Sequence, residues 1–227
     1  MTDAAVPRRT GLVLAIDLED WTAAEAVARA AGPHIDAVKV GYPTVLACGV
    51  GAIARLGDAA ARPVIADFKI ADIPPVAGAV AARAVAAGAR GVICHAFAGA
   101  DSVRAVADAC AAGGALPIAV VEMSHPGGAT FTQPSADRLL DAAIEGGARA
   151  IVAPATRPER VAALRARARG LPIFSPGAGA QGGSAEAASR AGADFVIVGR
   201  AITASDDPAR VARETAQAVA RGRAAHT

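Results

Sequence analysis

An apolar run that ends in charges of alternating sign marks the chemistry of this chain: Val64-Ile65-Ala66-Asp67-Phe68-Lys69-Ile70-Ala71-Asp72-Ile73-Pro74. Successive strand side chains point to opposite faces, so Ile65, Asp67 and Lys69 share one side, and a carboxylate and an ammonium emerge together from the end of a buried strand. Burying such a pair is costly unless it is compensated. Alone, the pair reads equally well as a structural ion pair at a strand terminus. Two other apolar runs carry charge in the same way: Asp17 follows Leu12 to Ile16, and Lys39 lies in Ala37 to Val40. Singly, Asp17 reads as the N-cap of a helix starting near Thr22, and Lys39 as a rim residue with a buried stem and a wet ammonium. Together with Asp67, Lys69 and Asp72, they place alternating charge on three neighbouring strands. A shared catalytic centre is the simpler account of that density.

A second signal lies in the last quarter of the chain. Ser175-Pro176-Gly177-Ala178-Gly179-Ala180-Gln181-Gly182-Gly183 follows one apolar run, and Gly199-Arg200 follows the next. Glycines let backbone N–H groups approach phosphate oxygens, and a guanidinium supplies a charged fork, so the pair reads as a phosphate site. Between the two signals stands Glu122-Met123-Ser124-His125-Pro126-Gly127-Gly128. The segment from Ser124 to Gln133 has the glycines, proline and hydroxyls of a mobile lid, with Ser124 its hinge or cap in the plainest reading. His95 and His125 end strands without an evident partner and read as packed or hydrogen-bonded rim residues. Pro154 and Thr156 follow another strand end with no obvious chemical role.

The elements that must position these residues follow from the spacing of apolar runs. Eight short runs, Leu12 to Ile16, Ala37 to Val40, Val64 to Asp67, Gly91 to Cys94, Ile118 to Val121, Ala150 to Val152, Ile173 to Ser175 and Phe195 to Val198, alternate with alanine-rich helical segments. Runs apolar on both faces, each followed by enough chain for a crossover helix, indicate parallel strands covered on both sides. Eight such units predict an α/β fold of the (β/α)8 TIM barrel type, whose chemistry sits at the strand ends and whose phosphate site follows strands seven and eight. Ala87-Gly88-Ala89-Arg90, Gly146-Gly147-Ala148-Arg149 and Ala191-Gly192-Ala193-Asp194 form a weak repeat in which glycine ends a helix before a strand. The alternative, an open doubly wound sheet, lacks its glycine-rich turn after the first strand, where Asp17-Leu18-Glu19-Asp20 stands instead.

The 227 residues, 53% of them hydrophobic, suffice for one barrel domain over 1–227, with short flexible tails at about 1–9 and 222–227. A formal charge of +2, with arginines scattered among alanines, gives no nucleic-acid footprint. Cys48, Cys94 and Cys110 have no ligand-type spacing and read as buried thiols of a reducing cytoplasm. The run from Leu12 to Ile16 is too short for a signal peptide or a membrane span.

These motifs, in this order over nearly the whole chain, resemble the orotidine 5′-monophosphate decarboxylase family in its compact form typical of archaeal enzymes. The residues that carry the resemblance are Asp17, Val38-Lys39-Val40-Gly41-Tyr42-Pro43, Asp67 through Pro74, Glu122 through Gly127, Ser175 through Gly183, and Val198-Gly199-Arg200. The resemblance implies decarboxylation of orotidine 5′-monophosphate to uridine 5′-monophosphate without metal or cofactor. It implies a charged network of Lys39, Asp67, Lys69 and Asp72, with Asp72 reaching the partner's site across a homodimer interface. By the same resemblance Asp17 and Lys39 meet ribose hydroxyls and Ser124 meets the pyrimidine. Ile73 and Pro176 complete the substrate-binding set, and Gln181, Gly199 and Arg200 hold the phosphate. Val76 departs from the pattern, standing where relatives carry a threonine, so a hydroxyl contact worth ~0.5–1.5 kcal/mol is missing.

Two rivals are distinguishable. A phosphosugar lyase of the same superfamily would use Asp17, Asp67 and Asp72 as oxygen ligands of a divalent metal; Lys39 and Lys69 would crowd that cation with like charge. A nucleotide-phosphate sensor would bind without turnover, leaving the costly lysine and aspartate set unused.

Overall fold

The computed structural model describes residues 5–225. Among them the apolar runs form eight strands: β1 (Leu12–Ile16), β2 (Ala37–Gly41), β3 (Val64–Ile70), β4 (Gly91–His95), β5 (Leu116–Val120), β6 (Ala150–Val152), β7 (Ile173–Pro176) and β8 (Phe195–Val198). Each pairs in parallel with the next, and β8 pairs back onto β1, so the sheet closes into the expected (β/α)8 barrel rather than the open sheet.

The two-residue period of a strand sorts the apolar side chains into two cores. Val13, Ala37, Ile65, Ile93, Ile118, Ala150, Phe174 and Phe195 pack together inside the barrel. Their strand neighbours Leu12, Leu14, Val38, Val64, Val92, Ile151, Ile173 and Val196 pack outward with the helices. With only 3% aromatic residues, the outer layer relies on small side chains such as Ala24, Ala28, Ala77, Ala81 and Ala84. Neighbouring helices therefore approach closely; a Cβ on Gly32, at the end of the helix Trp21–Ala31, would stand 2.4 Å from the carbonyl oxygen of Ala60, the last residue of the helix Ala52–Ala60. Inside, the rings of Phe174 and Phe195 stack with centroids 4.4 Å apart.

Three strands, β2, β4 and β7, run one residue past their expected ends, and two differ by more, for physical reasons. β5 begins at Leu116, two residues before the expected Ile118, because Pro117 still serves the ladder as an acceptor, its carbonyl taking the Arg149 N–H at 3.0 Å. β3 runs to Ile70, three residues past Asp67, through a bulge that aims the charged residues. The glycines of the weak repeat do end helices, with Gly88, Gly147 and Gly192 at φ of 101°, 81° and 103°.

Of the expected tails, residues 1–4 and 226–227 lie outside the described residues. Val6 packs in the inner core and Gly222 is buried in the helix Pro208–Ala224. Cys94 and Cys110 are buried, and burial pushes both thiols up to about 12, whereas Cys48 is only half-buried. No helix among the described residues is long and apolar enough to cross a membrane.

At the bottom of the barrel a single carboxylate organises the entry into β1. Asp36, 1% exposed, accepts the backbone N–H groups of Arg9, Thr10 and Gly11 at 2.7–3.1 Å and the Thr10 hydroxyl at 3.0 Å. Replacing it by alanine orphans those donors, so Asp36→Ala is expected to cost about 3 kcal/mol by urea denaturation. An unchanged midpoint would show that the N-terminal segment contributes nothing to the barrel's closure.

Candidate active site

At the opposite end, where the strands terminate, the barrel opens into a cavity of about 370 Å³. Asp17, Lys39, Asp67, Lys69, Ser124, Pro176, Gln181, Gly199 and Arg200 all line it, above a floor that includes Ile93, Val120, Val152 and Ile197. Six separate segments of sequence, from Asp17 to Arg200, are thus brought to one mouth.

The charged side chains form a continuous alternating array. Asp67, 6% exposed, receives Lys69 Nζ at 2.9 and 2.8 Å on its two oxygens and Lys39 Nζ at 2.8 Å on Oδ2. Lys39 is itself 3.8 Å from Asp17. The four formal charges cancel, which is the compensation that buried ions require. Burial alone would raise the Asp67 carboxyl, but the two ammonium groups and their hydrogen bonds outweigh it and hold the pKa below the usual carboxylate value. Lys39 is buried rather than snorkelling, while the Lys69 side chain is 40% exposed and faces the cavity.

Backbone geometry makes the array possible. In β3, Ala66 pairs with Val92 and Ile70 with Cys94, so four residues of β3 span what two of β4 span. Lys69 sits in that bulge at φ 41°, a left-handed conformation costing a non-glycine residue roughly 1 kcal/mol or more. Phe68 points the other way and stacks on Tyr42 at 5.3 Å. Across the barrel seam Gly41 makes room for Asp17, since a Cβ there would lie 2.1 Å from Asp17 Oδ1. The N-cap role considered for Asp17 belongs instead to Asp20, whose carboxylate accepts the Thr22 and Ala23 N–H groups.

The far side of the cavity has a different character. The glycine-rich turn after β7 uses φ of 103° at Gly177 and 79° at Gly179, and closes through Gly183 N–H to the Gly177 carbonyl at 3.1 Å. Arg200 is exposed at the cavity edge, and its guanidinium has no ion-pair or hydrogen-bond partner among the described residues. An uncommitted guanidinium beside a glycine turn is suited to a phosphate. Ser124 donates its hydroxyl to Gln181 Oε1 at 2.9 Å, joining this side to the loop after β5.

The structure adds detail to several expectations. Within the segment from Ser124 to Gln133, Pro126 starts a short helix, Pro126–Phe131, which Thr132 closes by donating to the Gly128 carbonyl at 2.9 Å. His125, expected as a packed or hydrogen-bonded rim residue, lines the cavity. His95 is packed and not hydrogen-bonded: its ring lies 4.6 Å from that of Phe97 and its buried Nδ1 has no partner. Burial, then the Lys69 charge, pushes its pKa down to about 4. Asp72 and Ile73 do not reach the cavity; both are exposed, and the Asp72 carboxylate accepts the Ile73 N–H at 2.7 Å. Asp17, Asp67 and Asp72 therefore do not converge as a metal-ligand set among the described residues.

Other contributors carried little sequence signal. Thr44 donates to the Leu18 carbonyl at 2.7 Å and pins the chain beyond Asp17, yet reads as any helical threonine. Thr156, given no role above, donates to the Ser124 carbonyl at 2.8 Å. Glu122 was visible as a charge after an apolar strand, but its partners, Arg157 and Arg160, were not.

Because the folded pKa of Asp67 lies below its unfolded value, the stability it contributes is fully present above the ordinary carboxylate range and is lost as pH falls through the folded value. Wild-type protein is therefore expected to lose stability more steeply than Asp67→Asn as pH drops below about 4. Melting curves across that range check it, and parallel slopes would contradict the ion-pair geometry.

Comparison with known proteins agrees with the geometry. Residues 10–215 match the profile of the Orotidine 5'-phosphate decarboxylase / HUMPS family. The chain is 45% identical over 208 residues to an orotidine 5'-phosphate decarboxylase of Methanococcoides burtonii, covering 91% of this chain and 96% of that one. It is 45% identical over 214 residues to that of Methanosarcina acetivorans, covering 93% and 96%. A crystal structure of orotidine 5'-monophosphate decarboxylase from Methanocaldococcus jannaschii, complexed with the inhibitor BMP, superposes with a TM-score of 0.88 at 40% identity, covering 94% and 99%. The lysine and aspartate array thus stands in a barrel of known kind, and the chain belongs to the orotidine 5'-phosphate decarboxylase / HUMPS family.

Proposed function

We propose that this chain converts orotidine 5′-monophosphate to uridine 5′-monophosphate and CO2, the last step of de novo pyrimidine synthesis, as a soluble cytoplasmic homodimer. The observation that carries the reading is the array of Asp17, Lys39, Asp67 and Lys69, with the Lys69 ammonium turned into the cavity beside a buried carboxylate.

Cleaving the bond from C6 to the carboxylate releases CO2 and leaves the electron pair on C6, in the plane of the pyrimidine and out of conjugation with its π system. A carbonyl sink is not available to that carbanion, so the site must stabilise it electrostatically. Lys69 supplies the positive charge and then transfers one Nζ proton to C6, regaining a proton from water. Asp67 orders both ammonium groups by accepting their hydrogen bonds and ion pairs. It also stands near the departing carboxylate. Asp17 and Lys39 take the ribose hydroxyls, and Ser124 and Pro176 meet the base. Gln181, Gly199 and Arg200 grip the phosphate, whose binding energy orders the site far from the bond that breaks.

Asp72 and Ile73 of the partner subunit complete the site in this reading. Its support is the surface around them: Tyr42, Leu46, Ile73, Val76 and Phe97 are 42–80% exposed and follow three neighbouring strands, β2, β3 and β4. An apolar surface of that kind marks an interface.

An ultraviolet assay of orotidine monophosphate loss, run after exhaustive chelation, is expected to show full activity; a strict Mg2+ requirement would favour the metal-dependent lyase, and binding without turnover the sensor. Lys69→Ala is expected to lower kcat by about 10³-fold or more, and a variant that retained decarboxylation would sink the mechanism. Mixing inactive Lys69→Ala and Asp72→Ala proteins tests the shared site. Random exchange between two-fold dimers leaves one intact site in half of them, so about a quarter of wild-type activity should return. No recovery after demonstrated subunit exchange would place Asp72 outside the partner's site.

A further inference from the structure

The most deeply buried charge near the cavity belongs to a residue with no part in the chemistry above. Glu122, fully buried, follows β5 directly and accepts Arg157 Nε at 3.3 Å and Arg160 Nε at 3.0 Å. Arg157 stands at the N-cap of the helix Pro158–Arg167 without making a capping bond, and Arg160 lies in its first turn. Cations at a helix N-terminus oppose its dipole, so helix stability does not explain their placement. What they gain is the Glu122 carboxylate. What Arg157 does with its remaining donor is informative: Nη2 reaches the Met123 carbonyl at 2.6 Å.

The adjoining residue repeats the contact one position on, since Thr156 Oγ1 donates to the Ser124 carbonyl at 2.8 Å. On the other side Thr132 Oγ1 accepts the Met123 N–H at 3.0 Å. Both carbonyls and one amide of the pair Met123-Ser124 are therefore held from outside, and the free end of the unit is the Ser124 hydroxyl, bonded to Gln181. We propose that Glu122 is a positioning residue: through Arg157 it fixes the backbone at Met123-Ser124 so that Ser124 stands between the base and the phosphate-binding Gln181. The proposal rests on the reading of Ser124 as the residue that meets the pyrimidine.

A fixed side chain displaced by about 1 Å can cost on the order of 10²-fold in rate. Glu122→Gln removes the charge at nearly constant volume, and Arg157→Lys keeps a cation beside Glu122 but cannot fork to the Met123 carbonyl as well. Each is expected to lower kcat/KM by about 10²-fold in the wild-type background, and by less than about threefold when Ser124 is already alanine, because the contact they serve is then gone. Should Glu122→Gln fail to fold, Arg157→Lys carries the same test. Equal losses in both backgrounds, or full activity in the folded variants, overturn the strut and leave the decarboxylase reading intact. A Ser124→Ala protein as active as wild type overturns the strut together with the role given to Ser124.

Discussion

A buried carboxylate held between two ammonium groups is the interaction on which the rest of this structure depends. Asp67 stays ionised at 6% exposure because Lys39 and Lys69 stand at 2.8 Å and offset the cost of its burial. The arrangement is uneven by design of its surroundings. Lys39 is buried and committed on both sides, to Asp67 and to Asp17, whereas Lys69 shares only Asp67 and opens to the cavity. One lysine is thereby structural in its electrostatics, and the other is free to meet a developing negative charge.

Holding that array demands backbone that stability alone would not select. The bulge in β3 breaks the ladder to β4 and sets Lys69 at positive φ. The closed barrel can absorb such a defect because every other strand pair is continuous and apolar cores pack on both faces of the sheet. Strain concentrated at one strand end and supported by a regular frame is the usual signature of a functional position. The Tyr42 and Phe68 stack braces the same bulge from the outer face.

The two ends of the cavity are not independent. The charged array lies on the first three strands, the glycine turn and Arg200 on the last two, and the Ser124 to Gln181 hydrogen bond joins the loops after β5 and β7. Behind Ser124, the Glu122 cluster ties β5 to the helix after β6. In the proposed reading, a ligand gripped by Gln181 and Arg200 would be felt at Ser124 through that hydrogen bond.

The sequence by itself determined the barrel and most of the residues at its mouth. Strand and helix periods are local properties, and a charge closing an apolar run is visible without knowing what it faces; Asp17, Lys39, Asp67, Lys69 and Arg200 were legible for that reason. Their functional assignment leaned on resemblance, since no local pattern says which carboxylate meets which ammonium. Tertiary structure decided that Lys39 is buried, that Asp20 and not Asp17 caps the first helix, and that Asp72 turns away from its own cavity. It also decided that Glu122 finds two arginines more than thirty residues away. These outcomes depend on the register between strands, on one positive φ and on the reach of long side chains across the barrel mouth. Those are non-local quantities, set only when the sheet closes.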